Sequence, residues 1–141
     1  NTGGFAEQVL VHCSQFVEIP EEMPLSAAAL LGCGVLTGVG ATRNTAEVSE
    51  GDIVVVIGCG GVGIGTVQGA RLANAEVILA VDPESQKHEA VLSMGATHAA
   101  NPKIDDVAQV LREATGGRLA DYVFIATSSI LLVLVLCCVP P

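Results

Sequence analysis

The chain has 141 residues, enough for one domain of ordinary size, with half of them apolar, 3% aromatic and 16 glycines. Its formal net charge of −9 excludes the basic face that a nucleic-acid partner would need. The five cysteines (Cys13, Cys33, Cys59, Cys137, Cys138) form no C-x-x-C pair, and an odd, scattered set in such a chain points to a reduced, cytoplasmic setting.

The chain opens Asn1-Thr2-Gly3-Gly4, without an initiator Met and without the charge or apolar run of a signal peptide. The expectation is a piece of something longer. Residues 5–12 (FAEQVLVH) read as a strand and 16–19 as a shorter extended run closed by Pro20. Ser26 can cap a short helix over 27–31, with Gly32 as its stop. A helix resumes over 36–46, weakened by Gly38 and Gly40. Ser49-Glu50-Gly51-Asp52 is a turn.

The stretch IVVVIGCGGVG, residues 53–63, organises the rest of the chain. Its first five residues are the continuous β-branched run of a strand buried on both faces. Gly58, Gly60 and Gly63 then fit G-x-G-x-x-G. Gly58 suits the tight turn off the strand, Gly60 lets the backbone approach a pyrophosphate, and Gly63 lets the next helix pack close. That helix, predicted over 64–73, would hold the phosphates at its N-terminus. A second strand over 76–81 (EVILAV) runs into Asp82, 19 residues after Gly63. A carboxylate there accepts hydrogen bonds from an adenosine ribose, and with Glu84 close by it repels a 2′-phosphate, favouring NAD over NADP. The plainer alternative is a glycine turn followed by an ordinary Asp-Pro turn.

Beyond Asp82 the pattern predicts a helix over 86–94 with Ala90, Val91 and Met94 on one face, stopped by Gly95. A short strand over 97–101 comes next. Ile104, Val107, Ala108 and Leu111 then form the best helical stripe in the chain, ending at Gly116-Gly117. A fourth strand covers 122–126 (YVFIA). Strands alternating with helices imply an α/β, doubly wound parallel sheet. The last apolar run, 130–139 (ILLVLVLCCV), is shorter than the about 20 residues that span a bilayer. A membrane tether, a buried element of a larger domain and a foreign tail at a truncation stay open for it, and if exposed it is aggregation-prone. An I-G-C-G turn also opens methyltransferase cofactor loops, but those usually carry an acid two residues earlier, where this chain has Val56.

The residues GCGVLTGVGA (32–41), Gly51-Asp52, the glycine loop 58–63, Val81-Asp82-Pro83 and Gly95-Ala96-Thr97 come in one order. Together they closely resemble the zinc-dependent alcohol dehydrogenases of the medium-chain dehydrogenase/reductase superfamily, particularly the class III-like branch, over about residues 3–127. The resemblance implies an incomplete Rossmann-like sheet preceded by the end of a GroES-like catalytic domain. Residues 1–45 would be the end of that domain and a linking helix, 46–129 a truncated NAD-binding domain, and 130–141 an apolar tail of unclear role. It implies hydride transfer between an alcohol and nicotinamide, with NAD and zinc as cofactors and small alcohols and aldehydes as substrates. It also implies a homo-oligomer for the complete enzyme, and no membrane. By the same resemblance Cys33 is a zinc ligand, Thr37 lies near the nicotinamide ring, and Gly58, Gly60, Gly61, Val62 and Gly63 form the pyrophosphate and nicotinamide loop. Asp82 and Lys87 would grip the adenosine ribose, though Lys87 also reads as a plain exposed helix residue.

The departures are equally specific. Only Cys33 of three expected zinc ligands is present, no Gly-His-Glu occurs, and His12, His88 and His98 match no ligand position. The chain alone is therefore expected to be inactive, and a dinucleotide-binding module without catalysis is the competing reading. Cys59 is either a reactive thiol at a helix N-terminus or a side chain packed under the loop.

Overall fold

Two runs of five consecutive buried residues form the centre of the molecule, Ile53–Ile57 (β1) and Val77–Val81 (β2). A strand is apolar at every position when both faces of its sheet are covered. In the computed structural model, which describes residues 4–127, β2 pairs in parallel with His98–Ala100 (β3) and with β1. β1 pairs in parallel with Tyr122–Ile125 (β4) on its other side. The order β3-β2-β1-β4 is that of a Rossmann-like, doubly wound sheet, as the alternation of strands and helices implies.

Alternation along the strands sorts the core into two layers. Val54, Val56, Ile78 and Ala80 pack with Val67 and Ala70 of Gly61–Leu72 (α3) and Val91 of His88–Ser93 (α4). Val55, Ile57, Leu79 and Val81 pack with Val107 and Leu111 of Val107–Thr115 (α5). The Asp106 carboxylate caps α5 by accepting the Gln109 N–H at 3.1 Å, and Gly116 closes it at φ +65°. β4 is an edge strand. Tyr122 and Phe124 lean on the first layer, whereas Val123 and Ile125 stay exposed among the described residues.

The N-terminal part departs from expectation. Residues 5–12 form no strand: Phe5 and Leu10 are fully exposed, and the segment has no ladder partner among the described residues. Residues 16–19 likewise join no sheet, and Cys13–Gln15 is a single 3₁₀ turn capped by the His12 ring. An alternating pattern makes a strand only where a second strand takes up its N–H and C=O groups.

Gly32 does not stop a helix, and Ser26 is not its cap. Leu25–Leu30 (α1) starts after Pro24 and continues through a π-helical turn, Leu31–Val35, into Leu36–Gly40 (α2) and a second π-helical turn, Ala41–Thr45. Gly32 and Gly40 face open space within the helix, while Gly34 and Gly38 serve contact with a neighbour. A Cβ on Gly38 would run into the backbone of Val62 and Thr66 in α3, and one on Gly69 would overlap Thr42 Oγ1. The whole helix, Leu25–Thr45, is long and apolar enough to cross a membrane by length and composition, and its small-residue face lies on α3. An apolar cavity of about 560 Å³ separates it from Gln15, Val17 and Ile19. None of the residues lining that cavity belongs to the glycine loop.

Later elements differ in detail. α3 begins at Gly61 rather than at Ile64, so Gly63 is helical. The 86–94 helix is a 3₁₀ turn, Ser85–Lys87, followed by α4, and of its expected apolar face only Val91 is buried while Ala90 and Met94 are exposed. Ile104 precedes α5 and is exposed. The 130–139 run, with Cys137 and Cys138, lies outside the described residues.

Candidate functional site

β1 runs straight into the glycine loop. Gly58 has φ +95°, which side chains rarely adopt, and its N–H donates to the Val81 carbonyl at 2.8 Å. On the other side the Ala126 N–H donates to the Ile57 carbonyl at 2.8 Å. The loop therefore sits at the carboxyl ends of β2, β1 and β4, at the point where the strand order reverses. In open α/β sheets that crevice takes the ligand.

The glycines divide by what surrounds them. A Cβ on Gly63 would overlap the Gly58 carbonyl, so the chain's own packing requires glycine there. Gly60 and Gly61 are exposed, and nothing lies within 4 Å of a Cβ built on either. The fold has no need of glycine at those two positions, which leaves bare backbone facing open space. The N-cap of α3 is Gly60, which supplies no capping side chain, and the positive dipole end of the helix lies at the same place. Val62 is half-buried in that turn. These features fit a dinucleotide pyrophosphate.

Asp82 follows β2 directly and is 4% exposed. Its Oδ2 accepts the Cys59 N–H at 2.8 Å and its Oδ1 accepts the Glu84 N–H at 2.9 Å. Lys87 Nζ lies 3.5 Å from Asp82 Oδ2 and 3.1 Å from Glu84 Oε2. Burial pushes the Asp82 carboxyl up, but the two N–H donors and Lys87 together outweigh it and hold the group below the ordinary carboxylate value. Lys87 is raised, chiefly by its hydrogen bond to Glu84. Asp82 is thus a buried anion joined to the glycine loop, with Lys87 as its cation. Cys59 belongs to the core under the loop, and burial, reinforced by the Asp82 charge, pushes its thiol up to about 12. Of its two readings, the packed side chain holds.

Cys33 and Thr37 are both exposed on the long helix. The residues after them touch the start of α3: a Cβ on Gly34 would stand 3.3 Å from Gly61, and one on Gly38 would reach Val62. The long helix thus brings Cys33 and Thr37 to the N-terminal end of α3, whereas Asp82 and Lys87 lie on the β2 side of the loop. Among the described residues no three His, Cys, Asp or Glu side chains gather as a metal site, so Cys33 alone does not fit the three-ligand set of a catalytic zinc.

Two neighbours of Asp82 are not legible as such in the sequence. The His88 ring hydrogen-bonds the Asp82 carbonyl at 2.9 Å, and Asn101 Nδ2 donates to the Pro83 carbonyl at 3.2 Å and to Ser85 Oγ at 2.8 Å. The one available signal is the place of Asn101 at the carboxyl end of β3, before Pro102.

Residues 61–136 match the zinc-binding dehydrogenase family. The chain belongs to that family. Among its relatives, S-(hydroxymethyl)glutathione dehydrogenase of Saccharomyces cerevisiae is 42% identical over 130 residues, covering 89% of this chain and 33% of the yeast protein. Alcohol dehydrogenase B of Mycobacterium tuberculosis is 39% identical over 128 residues, covering 91% of this chain and 34% of its own length. The crystal structure of benzyl alcohol dehydrogenase from Acinetobacter calcoaceticus superposes with a TM-score of 0.74 at 31% identity, covering 83% of this chain and 32% of that one. The chain spans about a third of the length of the curated relatives it matches. In this zinc-binding dehydrogenase domain, the glycine loop and Asp82 occupy one crevice of a sheet shared with alcohol dehydrogenases.

Proposed function

We propose that this chain carries the cofactor-binding part of an NAD-dependent, zinc-dependent alcohol dehydrogenase, cytoplasmic and homo-oligomeric as a complete enzyme. The observation that carries the reading is the convergence on one crevice of open backbone at Gly60 and Gly61, the N-terminus of α3 with its glycine N-cap, and the buried carboxylate of Asp82. Bound there, a dinucleotide supplies the hydride acceptor. The chain's own residues bind and orient it. Gly58, Gly60, Gly61, Val62 and Gly63 present the backbone to the pyrophosphate, Asp82 and Lys87 take the adenosine ribose, and Thr37 stands beside the nicotinamide. Asp82 and Glu84 together disfavour a 2′-phosphate, which selects NAD over NADP.

The class III-like branch is the finer reading, resting on the resemblance, and the substrate class is a small alcohol or aldehyde. Residues 1–45 belong in this reading to the end of the catalytic domain, 46–129 to the NAD domain, and 130–141 to an apolar tail. The assignment of Cys33 as a zinc ligand rests on the resemblance, and no step is derived through the metal. With one such ligand in its sequence, the 141-residue chain alone is expected not to oxidise primary alcohols, and NAD-dependent turnover by that chain would refute this.

Calorimetry with NAD, with NADP in parallel, tests the site. NAD is expected to bind more tightly than NADP, and Asp82→Ala to abolish the preference. No NAD binding by a chain that still unfolds cooperatively would overturn the reading. A dinucleotide-binding module without a metal is the second reading, and the exposed Cys33, with no companion ligands among the described residues, favours it. Restoration of zinc binding and turnover by adding the upstream third of a relative would decide against it.

A further inference from the structure

Asp82 can select a ribose only if its carboxylate is held in one place, and the turn that carries it, 82–85, has little core of its own. Pro83 is half-buried, and Glu84 and Ser85 are exposed. Besides the His88 ring on the Asp82 carbonyl and the Cys59 N–H on its carboxylate, the turn is held from the end of β3. The Asp82 N–H donates to the Ala100 carbonyl at 3.1 Å, and the next residue, Asn101, is 7% exposed. Its side-chain amide spends both donors on the turn, one to the Pro83 carbonyl at 3.2 Å and one to Ser85 Oγ at 2.8 Å.

Asn101 is itself held on every other polar atom. Its Oδ1 accepts the Lys103 N–H at 3.0 Å, its N–H donates to Asp105 Oδ2 at 2.7 Å, and its carbonyl accepts the N–H groups of Ile104 and Asp105 at 3.0 and 2.8 Å. A buried amide with its hydrogen-bonding groups fully committed is rigid, and it transmits that rigidity to whatever it grips. The gripped residues flank Glu84, whose N–H orients Asp82 Oδ1 and whose carboxylate pairs with Lys87. We propose that Asn101 is a positioning residue for cofactor selection: it clamps the 83–85 turn to the end of β3, and through that turn fixes Asp82, Glu84 and Lys87 for an adenosine ribose with a free 2′-hydroxyl. The proposal rests on the dinucleotide reading above.

Isothermal calorimetry on the full chain tests it, with NAD, NADP and nicotinamide mononucleotide as ligands. The mononucleotide lacks the adenosine ribose and reports the rest of the site. Asn101→Ala removes both clamp bonds, and Ser85→Ala removes one at an exposed position that leaves the core intact. Asn101→Ala is expected to weaken NAD about tenfold and to narrow the NAD-over-NADP ratio by a similar factor, with mononucleotide affinity unchanged. Ser85→Ala is expected to narrow the ratio about threefold. A ratio unchanged in Ser85→Ala and in any folded Asn101→Ala, in a wild-type chain that does prefer NAD, overturns the clamp alone. If Asn101→Ala does not fold, Ser85→Ala decides by itself. A wild-type chain that binds neither dinucleotide overturns the site reading and the clamp with it.

Discussion

Asp82 has a structural job beside the proposed one in NAD selection, and the two are separable by substitution. Its carboxylate satisfies the N–H groups of Cys59 and Glu84, so Asp82→Ala leaves a buried donor without a partner and is expected to cost about 1–3 kcal/mol of stability besides the loss of NAD preference. Asp82→Asn keeps one amide oxygen as an acceptor and is expected to fold better while still losing the charge, which thermal melts beside the calorimetry would show. Because the folded carboxyl is held below the ordinary value of 3.8, its contribution to stability is present at and above about pH 5. That contribution is lost as the pH falls through 3.8 toward the folded value, and Asp82→Asn should flatten this part of the pH–stability curve. Cys59 behaves oppositely: with its thiol pushed up to about 12 it stays protonated, and alkylation of the folded chain at about pH 8 should spare it while labelling exposed Cys13 and Cys33. Labelling of Cys59 at a rate like theirs would contradict its place in the core.

At the scale of elements, glycine is where the sequence is both most and least informative. The G-x-G-x-x-G spacing and the acid after β2 are set by local chemistry, and the structure brings both to the crevice at the sheet's carboxyl edge. Gly32 misleads because a glycine ends a helix only where the backbone turns left-handed, and here it stays exposed, in open space, within a continuous helix. Gly34 and Gly38 are the ones that let the helix touch α3, a partner about 25 residues away in the chain that the local sequence does not announce. The strand expected over 5–12 fails for the same reason, since pairing is a property of two segments. The contrast predicts different outcomes for two glycines three residues apart. Gly63→Ala should destabilise by about 1–3 kcal/mol, since its Cβ meets the Gly58 carbonyl in a backbone that cannot yield. Gly60→Ala, in open space at φ −86°, should leave the melting temperature nearly unchanged and weaken NAD binding, because the new methyl occupies ligand room. Equal destabilisation by both would remove the argument that Gly60 is kept for something outside the chain.

For the whole molecule, the relevant fact is how unevenly the core is distributed. β1 and β2 are buried at every position, whereas β4 exposes Val123 and Ile125, and the long helix exposes Leu25, Leu30 and Leu36. The candidate site lies in the well-packed half, at the ends of β1 and β2, so binding there should report on the stability of the folded chain as a whole. A ligand that binds only the native state stabilises it by about 2.7 kcal/mol at a hundredfold excess over its dissociation constant. NAD at that excess should therefore raise the melting temperature by several degrees. NADP at the same concentration should raise it less, and Asp82→Ala should bring the two shifts together. Equal shifts from NAD and NADP in the wild-type chain would mean that the acid after β2 does not face the ribose. A shift from NAD that survives Gly60→Ala undiminished would place the ligand somewhere other than the glycine loop.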